Sequence, residues 1–160
     1  MVVESGGEKS DPTHRIQKLT EYSCWANGAW IDFIESSRPS DQFLLDRMSH
    51  ILFGEDVWFR RIEGVPVGSN VWGVLTFEQM RERLARHRDV YDSLLRADVT
   101  RVVDYTRFTG EKYRSPISDI LVHLSHHGAH HRGQMATHVS AQGMKPINTD
   151  FMQFCFANGL

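Results

Sequence analysis

From His123 to Gln134 the chain reads His-Leu-Ser-His-His-Gly-Ala-His-His-Arg-Gly-Gln, with five histidines in its first nine residues. Neutral imidazole is the commonest protein ligand for transition metals. Two histidines four residues apart on a helix lie on one face, one turn from each other, and can share an ion. His123/His127, His126/His130 and His127/His131 all meet that spacing, so spacing alone does not choose a pair. No His-Glu-x-x-His protease pattern is present, nor the Cys/His spacing of a zinc finger. Neither Cys24 nor Cys155 is near the run, which argues against a closed structural zinc site. What remains is a nitrogen/oxygen site with a third ligand from another helix. His50 is the natural third, an imidazole in the apolar setting Met48-Ser49-His50-Ile51-Leu52. A lone histidine there reads as a core residue satisfied by one hydrogen bond; a pair of ligands elsewhere shifts the balance. His14 and His87 have no such company and read as structural.

The elements that must hold these residues are helical. Asp11-Pro12 is a cap followed by proline at the first helical position, and Ile16, Leu19, Ala26, Trp30 and Phe33 continue at helical spacing to about Ser37. After Pro39 a second helix runs from about Asp41 to Glu63 and ends at Gly64-Val65-Pro66. Thr76-x-x-Gln79 is a capping box opening a third helix to Leu95. Val102, Val103, Tyr105 and Phe108, then Gly110 and Tyr113, predict a short hairpin. Ser115-Pro116 starts a fourth helix that stops at Gly143, and residues 146–156 form a short aromatic capping element. At ~100° per residue, Ile117, Leu121, Leu124, Met135 and Val139 make the core stripe of the fourth helix. His127, His131 and His138 follow one edge of it, His123 and Gln134 lie further out, and His126 and His130 lie further still. The expected architecture is an all-α four-helix bundle with a β-hairpin between helices three and four. The tight link between the first two helices favours antiparallel neighbours, and the longer link before the third suffices for a crossover.

With 160 residues, 41% of them hydrophobic and 24% charged, the chain has the size and composition of one globular domain, expected over 12–160 behind a flexible tail, 1–11. A formal charge of −2 gives no reason to expect nucleic acid or an anionic membrane as partner. No apolar run approaches the ~18 residues of a membrane span, and residues 1–11 lack the apolar core of a secretory signal. The two cysteines have neither disulfide-framework nor Cys-x-x-Cys spacing, so a reducing cytoplasm is the expected setting.

The stretch His127-Gly-Ala-His130-His131-Arg132-Gly133-Gln134 resembles the signature of the DinB/YfiT-like metal-binding four-helix-bundle superfamily: a histidine, three residues, then His-Arg-Gly-Gln. Trp25-Ala26-Asn27 resembles that family's first-helix stretch, and Ser49-His50-Ile51-Leu52 with Glu55 and Trp58 is similar to its second-helix motif. The likeness spans about Ile16 to Phe154; the residue before the first fourth-helix ligand, often asparagine in the family, is His126 here. The resemblance implies that His50, His127 and His131 bind one divalent ion, zinc or nickel, with water completing the shell. It also implies an up-down-down-up bundle and a homodimer. Arg132 and Gly133 then read as structural, the arginine pairing with a carboxylate and the glycine admitting a neighbouring backbone. Gln134 would support the ligands or touch substrate.

Three imidazoles leave coordination positions open, as in catalytic sites. Characterised relatives in the wider superfamily are transferases and isomerases that use a low-molecular-weight thiol. By that analogy the protein is expected to be a metal-dependent thiol S-transferase acting on a small-molecule electrophile, the thiol coming from solution. Two readings compete: a metal-dependent hydrolase with Glu55 or His123 as general base, and a non-catalytic metal-binding protein induced by stress or damage.

Overall fold

A computed structural model describes residues 12–68 and 72–159; the expected N-terminal tail lies outside the described residues. Helices α1 (Pro12–Ser37), α2 (Gln42–Ile62) and α3 (Phe77–Arg96) are followed by strands β1 (Val102–Thr106) and β2 (Lys112–Pro116), then α4 (Ile117–Ala141) and the short α5 (Phe151–Ala157).

Several boundaries have a local cause. The Asp41 carboxylate accepts from Leu44 N at 3.2 Å, satisfying one of the amides that the start of α2 leaves free. Thr76 and Gln79 close the capping box of α3 from both sides. The strands pair antiparallel, with Val102 opposite Pro116 and Tyr105 opposite Tyr113. Their turn carries Gly110 at φ +87°, and α4 gives way to Gly143 at φ +76°, left-handed conformations that glycine adopts without a Cβ clash.

Cross-helix contacts fix the topology. Asp41 meets His138 and Trp58 meets His123, so α2 and α4 run antiparallel. Asp32 meets Arg81 and Cys24 lies near Arg88, so α1 and α3 are antiparallel too. Asn27 meets Arg132 and Arg38 meets Met144, which makes α1 and α4 parallel. The bundle is up-down-down-up. The first two helices are antiparallel as their short link predicts, yet α1 packs chiefly on α3 and α4 and only lightly on α2.

The core is continuous through the four helices, with Trp30, Ile34, Leu44, Ile51, Met80 and Leu124 fully buried. Every residue of the expected α4 stripe is buried. Helix α5 places Phe154 and Cys155 against Tyr22 and Ala26, a separate apolar cluster on the outside of α1. No helix among the described residues is long and apolar enough to cross a membrane.

Candidate metal centre

The antiparallel register of α2 and α4 sets His50 beside His127 and His131. One ring nitrogen from each lies within 4.8 Å of the others, and all three side chains are half-buried. The Nε2 atoms of His127 and His50 are 3.2 Å apart. Two ring nitrogens that close repel through their lone pairs unless a proton or a cation lies between them. His131 Nδ1 donates to Gln134 Oε1 at 2.9 Å, which leaves Nε2 as its lone-pair nitrogen. The Gln134 amide in turn donates to His130 at 3.0 Å, fixing its orientation. Gly54 makes room for the cluster, since a Cβ there would stand 3.0 Å from His127 Cε1. Trp72 stacks on the outer face of His50, ring centres 4.8 Å apart.

The electrostatics favour neutral rings. Burial, then the charges of His131 and His50, push His127 down to about 4. Burial and the charges of His131 and Arg47 hold His50 below the usual histidine value. Burial lowers His131 as well, only partly opposed by its bond to Gln134. Imidazole binds metal only when deprotonated, so near neutral pH the three rings already present lone pairs. Among the described residues no carboxylate joins this group. The donor set suits a borderline-soft divalent ion such as zinc or nickel and ill suits magnesium or calcium. By charge state, spacing and support, the residues fit a metal.

Other histidines of α4 have other engagements. His126 Nδ1 is 2.8 Å from its own helix at Val122 O, and His138 contacts Asp41 at 3.0 Å while stacking on Phe43. Of the three pairs the spacing allowed, the structure brings only His127/His131 to His50. His123 packs edge-on to Trp58 and lines a cavity of about 530 Å³ that reaches His127. Partial burial, then the charges of His126 and Arg61, lower its pKa.

Glu55 faces away from the triad. It is 2% exposed, and its carboxylate is held by His87 Nδ1 at 2.5 Å and Asn27 Nδ2 at 3.3 Å. His87 Nε2 reaches Asp56 at 2.7 Å, and Arg132 donates to Asn27 Oδ1 at 2.7 Å. Burial opposes the charge on His87, but its hydrogen bonds to Asp56 and Glu55 and their charges outweigh it and raise its pKa to about 9. Two sequence expectations change here. Arg132 pairs with an amide rather than a carboxylate, because Glu55 is already taken. Gly133 admits no backbone among the described residues, since a Cβ there would meet none of them within 4 Å; Gly54 and Gly128 are the crowded glycines. Sequence reasoning also missed the Trp72 stack and the charged state of His87. The signal available for His87 was two adjacent acids, Glu55 and Asp56, on a helix otherwise apolar toward the core.

The DinB family model matches residues 10–158. No curated protein matches the chain.

Proposed function

This chain belongs to the DinB family, and we propose that His50, His127 and His131 bind one divalent ion, zinc or nickel, at the centre of a thiol S-transferase. The observation that carries the reading is the convergence of three imidazoles within 4.8 Å, one of which, His127, lines an open cavity with aromatic walls. A bound divalent ion supplies Lewis acidity, which lowers the pKa of a thiol and gives a nucleophile at neutral pH.

The chain's own residues do the rest. Gln134 holds His131 in one tautomer, and Trp72 shields one face of His50 from water. His123, neutral and beside the cavity, is the acceptor for the thiol proton. Sulfur forms its bond to an electrophilic carbon in the cavity, and the leaving group departs with the bonding pair. The thiol comes from solution, since Cys24 and Cys155 are both buried and burial pushes Cys24 up to about 12. A hydrolase would need a general base, and Glu55 is committed to His87 and Asn27, which leaves His123 alone for that role. We place the protein in a reducing cytoplasm as a homodimer, an assembly that light scattering checks.

The test is turnover of a low-molecular-weight thiol with an alkyl halide by protein reconstituted with zinc or nickel. Saturable thioether formation, abolished in His131→Ala, supports the transferase. Thiol-independent ester hydrolysis lost in the same variant favours the hydrolase. A metal-loaded protein that does neither is a binding protein.

A further inference from the structure

Arg61, in the last turn of α2, differs from the basic residues around it. Arg83 and Arg86 pair with Asp56, Arg107 pairs with Glu111, and Arg60 donates to Pro66 O. Arg61 has no carboxylate within ion-pair distance among the described residues, and its buried Nε has no hydrogen-bond partner. Aromatic faces hold it instead: the guanidinium lies 4.6 Å from the Trp58 ring, 5.4 Å from Phe108 and 5.6 Å from Tyr105. Stacking leaves the in-plane N–H groups of an arginine free for a planar, two-point acceptor.

That guanidinium borders the cavity of about 530 Å³ that opens on His127 and His123. The volume falls in the range of ~300–1,000 Å³ common for small-molecule sites. Rings make up much of its wall, among them Trp58, Tyr105, Phe108 and Tyr113, and suit a flat apolar body. Arg107, already paired with Glu111, also lines the cavity, as does one acid, Asp119. It sits in the first turn of α4, where the helix dipole favours its negative charge, and it disfavours a second negative charge on the ligand.

We infer that the cavity takes a small aromatic or conjugated monocarboxylate, with Arg61 as the receptor for its carboxylate and the hairpin rings covering its body. The role of this ligand as the electrophilic substrate rests on the reading of the triad given above; the binding itself does not.

Chelator-treated, metal-free protein therefore provides the test, with cinnamate and its neutral isostere cinnamamide titrated by calorimetry. Cinnamate should bind about tenfold or more tightly than cinnamamide, the usual worth of a charge-assisted hydrogen bond. Arg61→Gln should erase that gap without weakening cinnamamide. Arg61→Lys, which keeps the charge and the stem, should retain part of it, and Asp119→Asn should tighten cinnamate. Equal affinities in the wild type, a gap that survives Arg61→Gln, no binding of either probe, or a gap seen only after metal is added would each overturn the inference. Because the titration excludes metal, failure of the metal site would leave its outcome unchanged.

Discussion

Helix α2 carries histidine chemistry of opposite kinds on its two flanks. Toward α4, His50 joins His127 and His131, where burial and mutual repulsion keep the rings neutral and no carboxylate joins them. Toward α3, one turn further along, Glu55 and Asp56 grip His87 from both ring nitrogens and raise it to about 9. The charged ring is the fully buried one and the neutral triad is only half-buried, so burial alone does not decide the state of an imidazole. The partner does. A ring paired with acids becomes a fixed cation that ties helices together, whereas a ring surrounded by other rings keeps a lone pair for a metal.

The contrast is most sharply broken on the α3 flank. Glu55→Ala leaves the His87 cation and the Asn27 amide without their buried partner, and should destabilise the fold by about 3–5 kcal/mol, read from urea unfolding. Metal stoichiometry of the fraction that stays folded should be unchanged.

The same flank predicts a pH dependence. The folded pKa of His87 lies above its unfolded value of 6.5, so its contribution is fully present below pH 6.5 and is lost as pH rises through about 9. The unfolding free energy should fall across that window, with a slope of up to about 1.4 kcal/mol per unit. His87→Gln should flatten it. On the α4 flank the sign reverses. The folded pKa of His127 lies below the unfolded value, so metal-free protein should lose stability as pH falls from 6.5 toward about 4.

Smaller effects sharpen the α4 flank. Gln134→Ala frees His131 to rotate and change tautomer, and should weaken metal binding by about 10–100-fold in competition with a chromogenic chelator. Gly54→Ala should cost less affinity. Its new Cβ would crowd His127, while the helix itself gains about 1 kcal/mol from losing glycine. Weaker metal binding at undiminished thermal stability would separate site geometry from folding.

The helices and the capping box of α3 were legible because their causes are local; the cap expected from Ser115 is not there, since Ser115 lies in β2 and α4 starts from Pro116 with no side-chain cap. Thr76 and Gln79 are three residues apart, and the α4 stripe repeats within one segment. The choice of His127/His131 over two equally spaced pairs was not legible in spacing, because it depends on which turn of α4 the α2 register sets against His50; the family likeness supplied it. The Asn27–Glu55–His87–Arg132 network left little pattern beyond the adjacent acids Glu55 and Asp56. Its partners lie 28, 32 and 105 positions apart along the chain, joined only when three interfaces close at once. Glu55 therefore looked like a free base near the metal, when the fold had already occupied it.

The most direct test of the central claim is elemental analysis of tag-free protein, purified without a nickel column, beside its His127→Ala and His131→Ala variants. The account predicts about one equivalent of zinc or nickel in the wild type and none in either variant, with the helical content of all three alike, as expected for an open three-histidine site. A wild-type protein that stays metal-free and binds neither ion when titrated, or variants that retain the metal, would contradict it.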